Sequence, residues 1–127
     1  MPWTDPRPMS PHLQIYRMPI TAVLSVLHRA TGVILFLGSL LMIAVLISLA
    51  NGTESWQVMQ GLLSSGLGKL VLFGFTFSLY YHFCNGIRHL LWDIDKGLSV
   101  AEVHKSAWVV LGSSVVLTLV TWMIALL

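Results

Sequence analysis

Charge is what this sequence has least of. Only 9% of its 127 residues are charged, 56% are hydrophobic, and the mean hydropathy is +0.81. A soluble domain carries roughly 25% charged residues. Twelve charged side chains cannot coat a soluble fold of this length, and so apolar a chain cannot stay disordered. The single cysteine, Cys84, excludes an internal disulfide. A net charge of +2, thinly spread despite a pI near 9.0, offers no footprint for nucleic acid. Glycine-rich phosphate loops, CxxC pairs and H-E-x-x-H are absent, as are internal repeats and low-complexity stretches. What remains is a small integral membrane protein.

A spanning helix needs about 20 mostly apolar residues. Three stretches qualify, giving an all-α fold with spans at about 20–50, 66–93 and 100–127. All five prolines lie at or before Pro19, so residues 1–19 read as a Pro-rich leader and 20–127 as one three-helix domain. Pro19 suits a first helical position. Asn51-Gly52 ends the first span, and Thr53 is expected to cap a short surface helix that follows. Lys96-Gly97 reads as the stop of the second span. Ser99-Val100-Ala101-Glu102 has capping-box spacing and opens the third.

Six basic residues (Arg7, Arg17, Arg29, Arg88, Lys96, Lys105) fall on one side of the membrane, and only Lys69 falls on the other. The positive-inside rule then puts the N-terminus in the cytoplasm or mitochondrial matrix. The leader is too long and charged for a secretory signal. Trp56, Trp92 and Trp108 are expected as interfacial anchors. Gly74 and Gly112-Ser113-Ser114 are expected to let helices pack closely.

Ionisable groups inside a membrane are costly and mark function by default. Here they form two clusters. One is Ser25-Val26-Leu27-His28-Arg29-Ala30-Thr31-Gly32, and the other runs from Tyr80 to Asp93. At 100° per residue, Gly86, His89 and Asp93 fall within about 40° of His82. Cys84 lies about 160° away and reads as inert. His82 sits about 9 Å deeper than Arg88 and needs a partner, which a metal, a haem iron or a buried hydrogen bond could supply. Gly86, one turn on, leaves room for something flat or for another helix. Ser25 pairs with Arg29 at one turn, and His28 with Gly32. A histidine at mid-depth with Arg29 and Arg88 one porphyrin radius nearer the cytoplasm suits haem b, with its propionates at the cationic level. The alternative uses are a helix–helix hydrogen bond for His82 and snorkelling for the arginines. Asp93 could pair with Arg88, with His89 or with another chain. One deep histidine supplies one axial ligand, so a second would come from another subunit.

These residues resemble a known family. The leader Arg7-Pro8-Met9-Ser10-Pro11-His12-Leu13-Gln14-Ile15-Tyr16, then Ser25-x-x-His28-Arg29-x-Thr31-Gly32, then His82-x-x-x-Gly86-Ile87-Arg88-His89-x-x-x-Asp93 are similar to the cytochrome b large membrane-anchor subunit of succinate dehydrogenase, respiratory complex II. The leader looks like the alphaproteobacterial and mitochondrial branch. The shortness of the chain and the lack of an Arg/Ser-rich transit sequence lead us to expect a bacterium or an already mature chain.

The resemblance implies a role for each matching residue. His82 would be the axial ligand to haem b iron. A small membrane-anchor subunit would supply the other axial ligand. Ser25 and Arg29 would bind ubiquinone, and His28, Arg29 and His89 would lie near the haem and its propionates. An iron–sulfur subunit and a flavoprotein subunit would dock on the cytoplasmic or matrix face of the bacterial or mitochondrial inner membrane. Catalysis at the flavin would belong to those partners. Rival readings are a cofactor-free structural anchor, a fumarate reductase anchor that oxidises quinol, and a transport subunit. The last is disfavoured by the apolar outer halves of all three spans.

Overall fold

The structure, a computed structural model, describes residues 17–127; the leader motif Arg7–Tyr16 lies outside the described residues. Four helices follow one another: α1 (Ile20–Ala50), α2 (Thr53–Ser64), α3 (Gly66–Asp93) and α4 (Val100–Leu126). Three of them, α1, α3 and α4, are long and apolar enough to cross a membrane, and no strand occurs among the described residues. At about 1.5 Å per residue, α1 extends for roughly 46 Å, well beyond about 30 Å of hydrocarbon. It must therefore tilt or project from the bilayer.

The helix ends follow local chemistry, with small departures from expectation. Pro19 sits just outside α1 in extended geometry, and its carbonyl accepts from Ala22 and Val23. It is the cap rather than the first helical residue. Gly52, at φ 98°, makes the turn into α2. Thr53 was expected as the α2 cap, but Gly52 takes that place and no side chain caps the helix. The Ser65 hydroxyl caps α3 by accepting from Gly68 N–H at 3.1 Å. Gly68 is required there, since a Cβ would collide with the carbonyl oxygens of Leu62 and Leu63.

α3 ends at Asp93, the expected limit of the span, but Lys96-Gly97 does not make the stop. The Lys96 N–H donates to Leu91 and the Asp95 N–H to Trp92, with Asp95 left-handed at φ 58°. That is a Schellman stop with aspartate where glycine is usual. Gly97, at φ 75°, belongs to the loop beyond. Before α4, the Ser99–Glu102 capping box forms as the spacing implies.

α3 is the centre of the bundle and packs against both α1 and α4. The interior is small and polar. Among the described residues, Leu24, Tyr81, Ala107 and Val110 are the buried apolar side chains, against seven buried polar or charged ones. Large apolar residues such as Phe36, Leu40, Leu46, Phe83 and Met123 point outward. This is the pattern of a chain whose solvent is lipid, where helices join through small and polar groups rather than by burying hydrocarbon. Ala107, Ser114 and Thr118 line the α4 face towards α3, and Ser114 and Thr118 bond back to carbonyls one turn earlier. Across the bundle, the Tyr81 hydroxyl donates to the Leu24 carbonyl at 2.8 Å, and Tyr80 bonds Thr121 at 2.7 Å. Gly74 and Gly112 do not make the close approaches expected of them, because nothing lies within 4 Å of where their Cβ would stand. The close approach is at Gly38 instead, which the Phe75 ring covers so tightly that a Cβ would overlap it.

Candidate haem and quinone site

The crossing of α1 over α3 brings the two polar clusters together. His28 on α1 stacks on His82 on α3, with ring centroids 3.9 Å apart and planes 13° from parallel. His89, two turns along α3, meets His28 at 5.3 Å and stands edge-on to Trp92 at 5.1 Å. Stacked rings show one another their faces rather than their nitrogens. Accordingly, no three His, Cys, Asp or Glu side chains converge on a metal-ion position among the described residues.

The hydrogen bonds of His82 determine its chemistry. Thr31, buried on α1, donates its hydroxyl to the His28 carbonyl at 2.9 Å. His82 Nδ1 lies 3.2 Å from that same carbonyl and 3.3 Å from the Thr31 Oγ1. A carbonyl only accepts, so Nδ1 carries the proton and shares it between the two oxygens. In a neutral imidazole Nε2 then holds the free lone pair, and no described residue hydrogen-bonds it. A second hydrogen bond that selects the tautomer is what a ligating histidine requires. Gly32 makes room for the ring, as a Cβ there would stand 3.3 Å from His82 Cε1. Around Gly86, one turn beyond His82, no described residue comes within 4 Å of where a Cβ would stand. The buried Nδ1 of His28 has no hydrogen-bond partner among the described residues. A free Nε2, an open glycine face and an orphaned imidazole nitrogen fit a flat, iron-bearing, acidic group such as haem.

Beside the histidines lies a cleft of about 280 Å³, lined by Thr21, Ala22, Ser25, Arg88, His89 and Trp92. Ser25 is thus in the cleft. Arg29, one turn along α1, is exposed and lines no part of it. Asp93 is exposed as well.

The arginine that reaches the cleft is Arg88. It does not snorkel: only 4% of it is accessible. Its Nε donates to the Ser106 hydroxyl at 2.9 Å, Nη2 to the Val103 carbonyl at 3.1 Å and Nη1 to Asn85 Oδ1 at 3.4 Å. Its Cζ stands 4.1 Å above the centre of the Trp92 ring, a cation–π contact. Trp92 in turn donates Nε1–H to the Gly97 carbonyl, so it is a support for Arg88 as much as an interfacial anchor. Thr31, Tyr81 and Asn85 stand in the two polar clusters of the sequence without a role of their own there, and Ser106 stands outside both. The one available signal was a run of polar residues on α3 facing polar residues on α4.

Three spans, two of which enclose a polar histidine cluster, define the class, a multi-span helical membrane protein. Comparison with known proteins makes this specific. Residues 4–121 match the family of succinate dehydrogenase/fumarate reductase transmembrane subunits. The chain is 42% identical over 116 residues to the succinate dehydrogenase cytochrome b556 subunit of Rickettsia prowazekii, covering 91% of this chain and 90% of that one. It is 36% identical to the corresponding subunit of Paracoccus denitrificans, covering 91% and 88%. It is 40% identical to the mitochondrial cytochrome b560 subunit of Sus scrofa, covering 83% and 63%. The chain belongs to the succinate dehydrogenase cytochrome b membrane-subunit family. It is a multi-pass inner-membrane protein and a subunit of an oxidoreductase complex.

Proposed function

We propose that this chain anchors a succinate:ubiquinone oxidoreductase, contributes one axial ligand to a shared haem b, and forms part of the ubiquinone site. The observation that carries the reading is the contact of His82 Nδ1 with the His28 carbonyl: an acceptor there calls for the proton on Nδ1, which leaves Nε2 free to ligate. The cytochrome b names of its relatives support the same group. His82 would hold the iron, and His28, Arg29 and His89 would face the ring edge and propionates. Haem b, when bound, accepts and returns one electron at a time. A second ligand to the iron would come from a small anchor subunit. An iron–sulfur subunit and a flavoprotein would dock on the N-terminal side, which the basic residues place in the cytoplasm or matrix.

Ser25 would donate a hydrogen bond to a quinone carbonyl in the cleft. Arg29, exposed on the outer face of α1, would act where a partner subunit closes over that face. Its charge, permanent at any relevant pH, would favour electron density arriving on the quinone oxygen. The family name also covers fumarate reductases, but the relatives cited above are succinate dehydrogenase subunits, and this favours the succinate-oxidising direction.

The decisive experiment is a redox spectrum of the assembled complex carrying His82→Ala. The b-type absorption should disappear. An unchanged spectrum would overturn haem ligation by His82, and absence of haem from the parent complex would establish a cofactor-free anchor. For the quinone site, Ser25→Ala should lower quinone turnover about threefold to tenfold, the size of one lost hydrogen bond. Arg29→Leu should lower it further, while both spare succinate oxidation by a soluble acceptor. Equal loss of both activities would place these residues in assembly instead.

A further inference from the structure

The cleft beside Ser25 is built from α1 and α3 alone, yet the charge inside it is held from α4. Arg88 lines the cleft and is nearly inaccessible, and its three described hydrogen-bond partners, Ser106, Asn85 and the Val103 carbonyl, are all neutral. A guanidinium stays protonated even in such surroundings, so a full positive charge is fixed at the cleft wall. Two of the three bonds go to α4.

Ser106 is set up to accept. It donates its own proton to the Val103 carbonyl at 3.1 Å and so presents a lone pair to Arg88 Nε–H. Val103 and Ser106 are therefore one receptor for the inner edge of the guanidinium, with Trp92 beneath its plane. Neither Val103 nor Ser106 lines the cleft.

We propose that Ser106 is a positioning residue for the ligand of this cleft, acting through Arg88. With the guanidinium pinned, its charge stands at a constant distance from a carbonyl oxygen bonded to Ser25, and stabilises negative charge as that oxygen gains electrons. Coulomb attraction falls with distance and with solvation, so a guanidinium released from Ser106 swings and the attraction weakens. The proposal rests on the reading of the cleft as a quinone site. It adds that the third span, which lines no part of the cleft, sets the strength of that site.

The test uses the assembled complex, with succinate as donor and a short-chain ubiquinone analogue as acceptor. Rates are divided by soluble-acceptor activity so that the amount of complex cancels. Ser106→Ala should raise the quinone KM about threefold to tenfold, the scale of one ordinary hydrogen bond, because the Val103 and Asn85 bonds still hold part of the guanidinium. Ser106→Thr, which keeps the hydroxyl, should stay within about twofold of the parent. In an Arg88→Lys background, Ser106→Ala should add less than about twofold, because the two changes break one contact. A Ser106→Ala KM within twofold of the parent, or full additivity with Arg88→Lys, would overturn the proposal. If the alanine variant does not assemble, Ser106→Cys gives the same reading with a poorer acceptor of similar size. Ser25→Ala in the same series separates the two claims. If it lowers quinone turnover while Ser106→Ala changes nothing, only the positioning role fails; if neither moves, the quinone reading fails with it.

Discussion

His82 shows how much of the chemistry rests on one hydrogen atom. Its Nδ1–H is held between the His28 carbonyl and Thr31 Oγ1, so ligand capacity at Nε2 depends on residues of a different helix. Gly32 completes the arrangement by letting the ring lie 3.3 Å from where a Cβ would stand. Gly32→Val adds that Cβ and two methyls, and the ring must turn from its hydrogen bonds. The expected result is loss of most haem per assembled complex, read by absorption against protein. Full haem content in Gly32→Val would show that the ring can ligate without this placement. The motif His82-x-x-x-Gly86 was legible as a stripe because helix geometry follows from sequence spacing. The Thr31 contact was not, because it joins residues 51 positions apart.

At the level of the element, the helix boundaries divide into those that spacing reveals and those that competition decides. The Ser99–Glu102 box was readable because both partners lie within one turn. The limit of α3 at 93 was readable, but the residue that makes its stop was not: Asp95 and Gly97 compete, and Asp95 adopts the left-handed turn despite its side chain. Strain at a left-handed non-glycine residue is of the order of 1 kcal/mol. Asp95→Gly should relieve it and raise the unfolding midpoint of the α3–α4 half of the purified complex by a degree or more, within the range of single substitutions. A lowered midpoint would show that the Asp95 side chain stabilises the loop by contacts of its own. Similarly, Thr53 lost the capping role to Gly52 because the chain needs a positive φ of 98° to turn from α1 into α2.

The whole molecule is a thin bundle with a polar seam and an apolar exterior. Among the described residues, seven buried polar side chains against four apolar ones leave little to hold three helices together except hydrogen bonds such as Tyr81 to Leu24 and Arg88 to Ser106. The histidine cluster opens beside Gly86, with no described side chain closing it. Such a chain is suited to assembly with neighbours. Its orientation can be checked with single cysteines at Arg17 and at Thr53 in a Cys84→Ala background, in sealed inner-membrane vesicles. An impermeant thiol reagent should label position 17 only from the cytoplasmic side and position 53 only from the other. The reverse pattern would place the basic residues, and the docking face, on the outside.

The sequence by itself determined the class, the three spans and the two polar clusters, because hydropathy, helical period and charge placement are local and additive along the chain. It also carried the family motifs. Only the tertiary structure decided which arginine enters the cleft. Arg29 and Arg88 look alike as intramembrane cations in sequence, yet Arg29 faces outward while Arg88 is drawn in by Ser106 and the Val103 carbonyl of α4. The physical reason is the cost of an unpaired cation in lipid: it turns toward whatever acceptors the neighbouring helix offers, and helix packing alone brings those acceptors within reach.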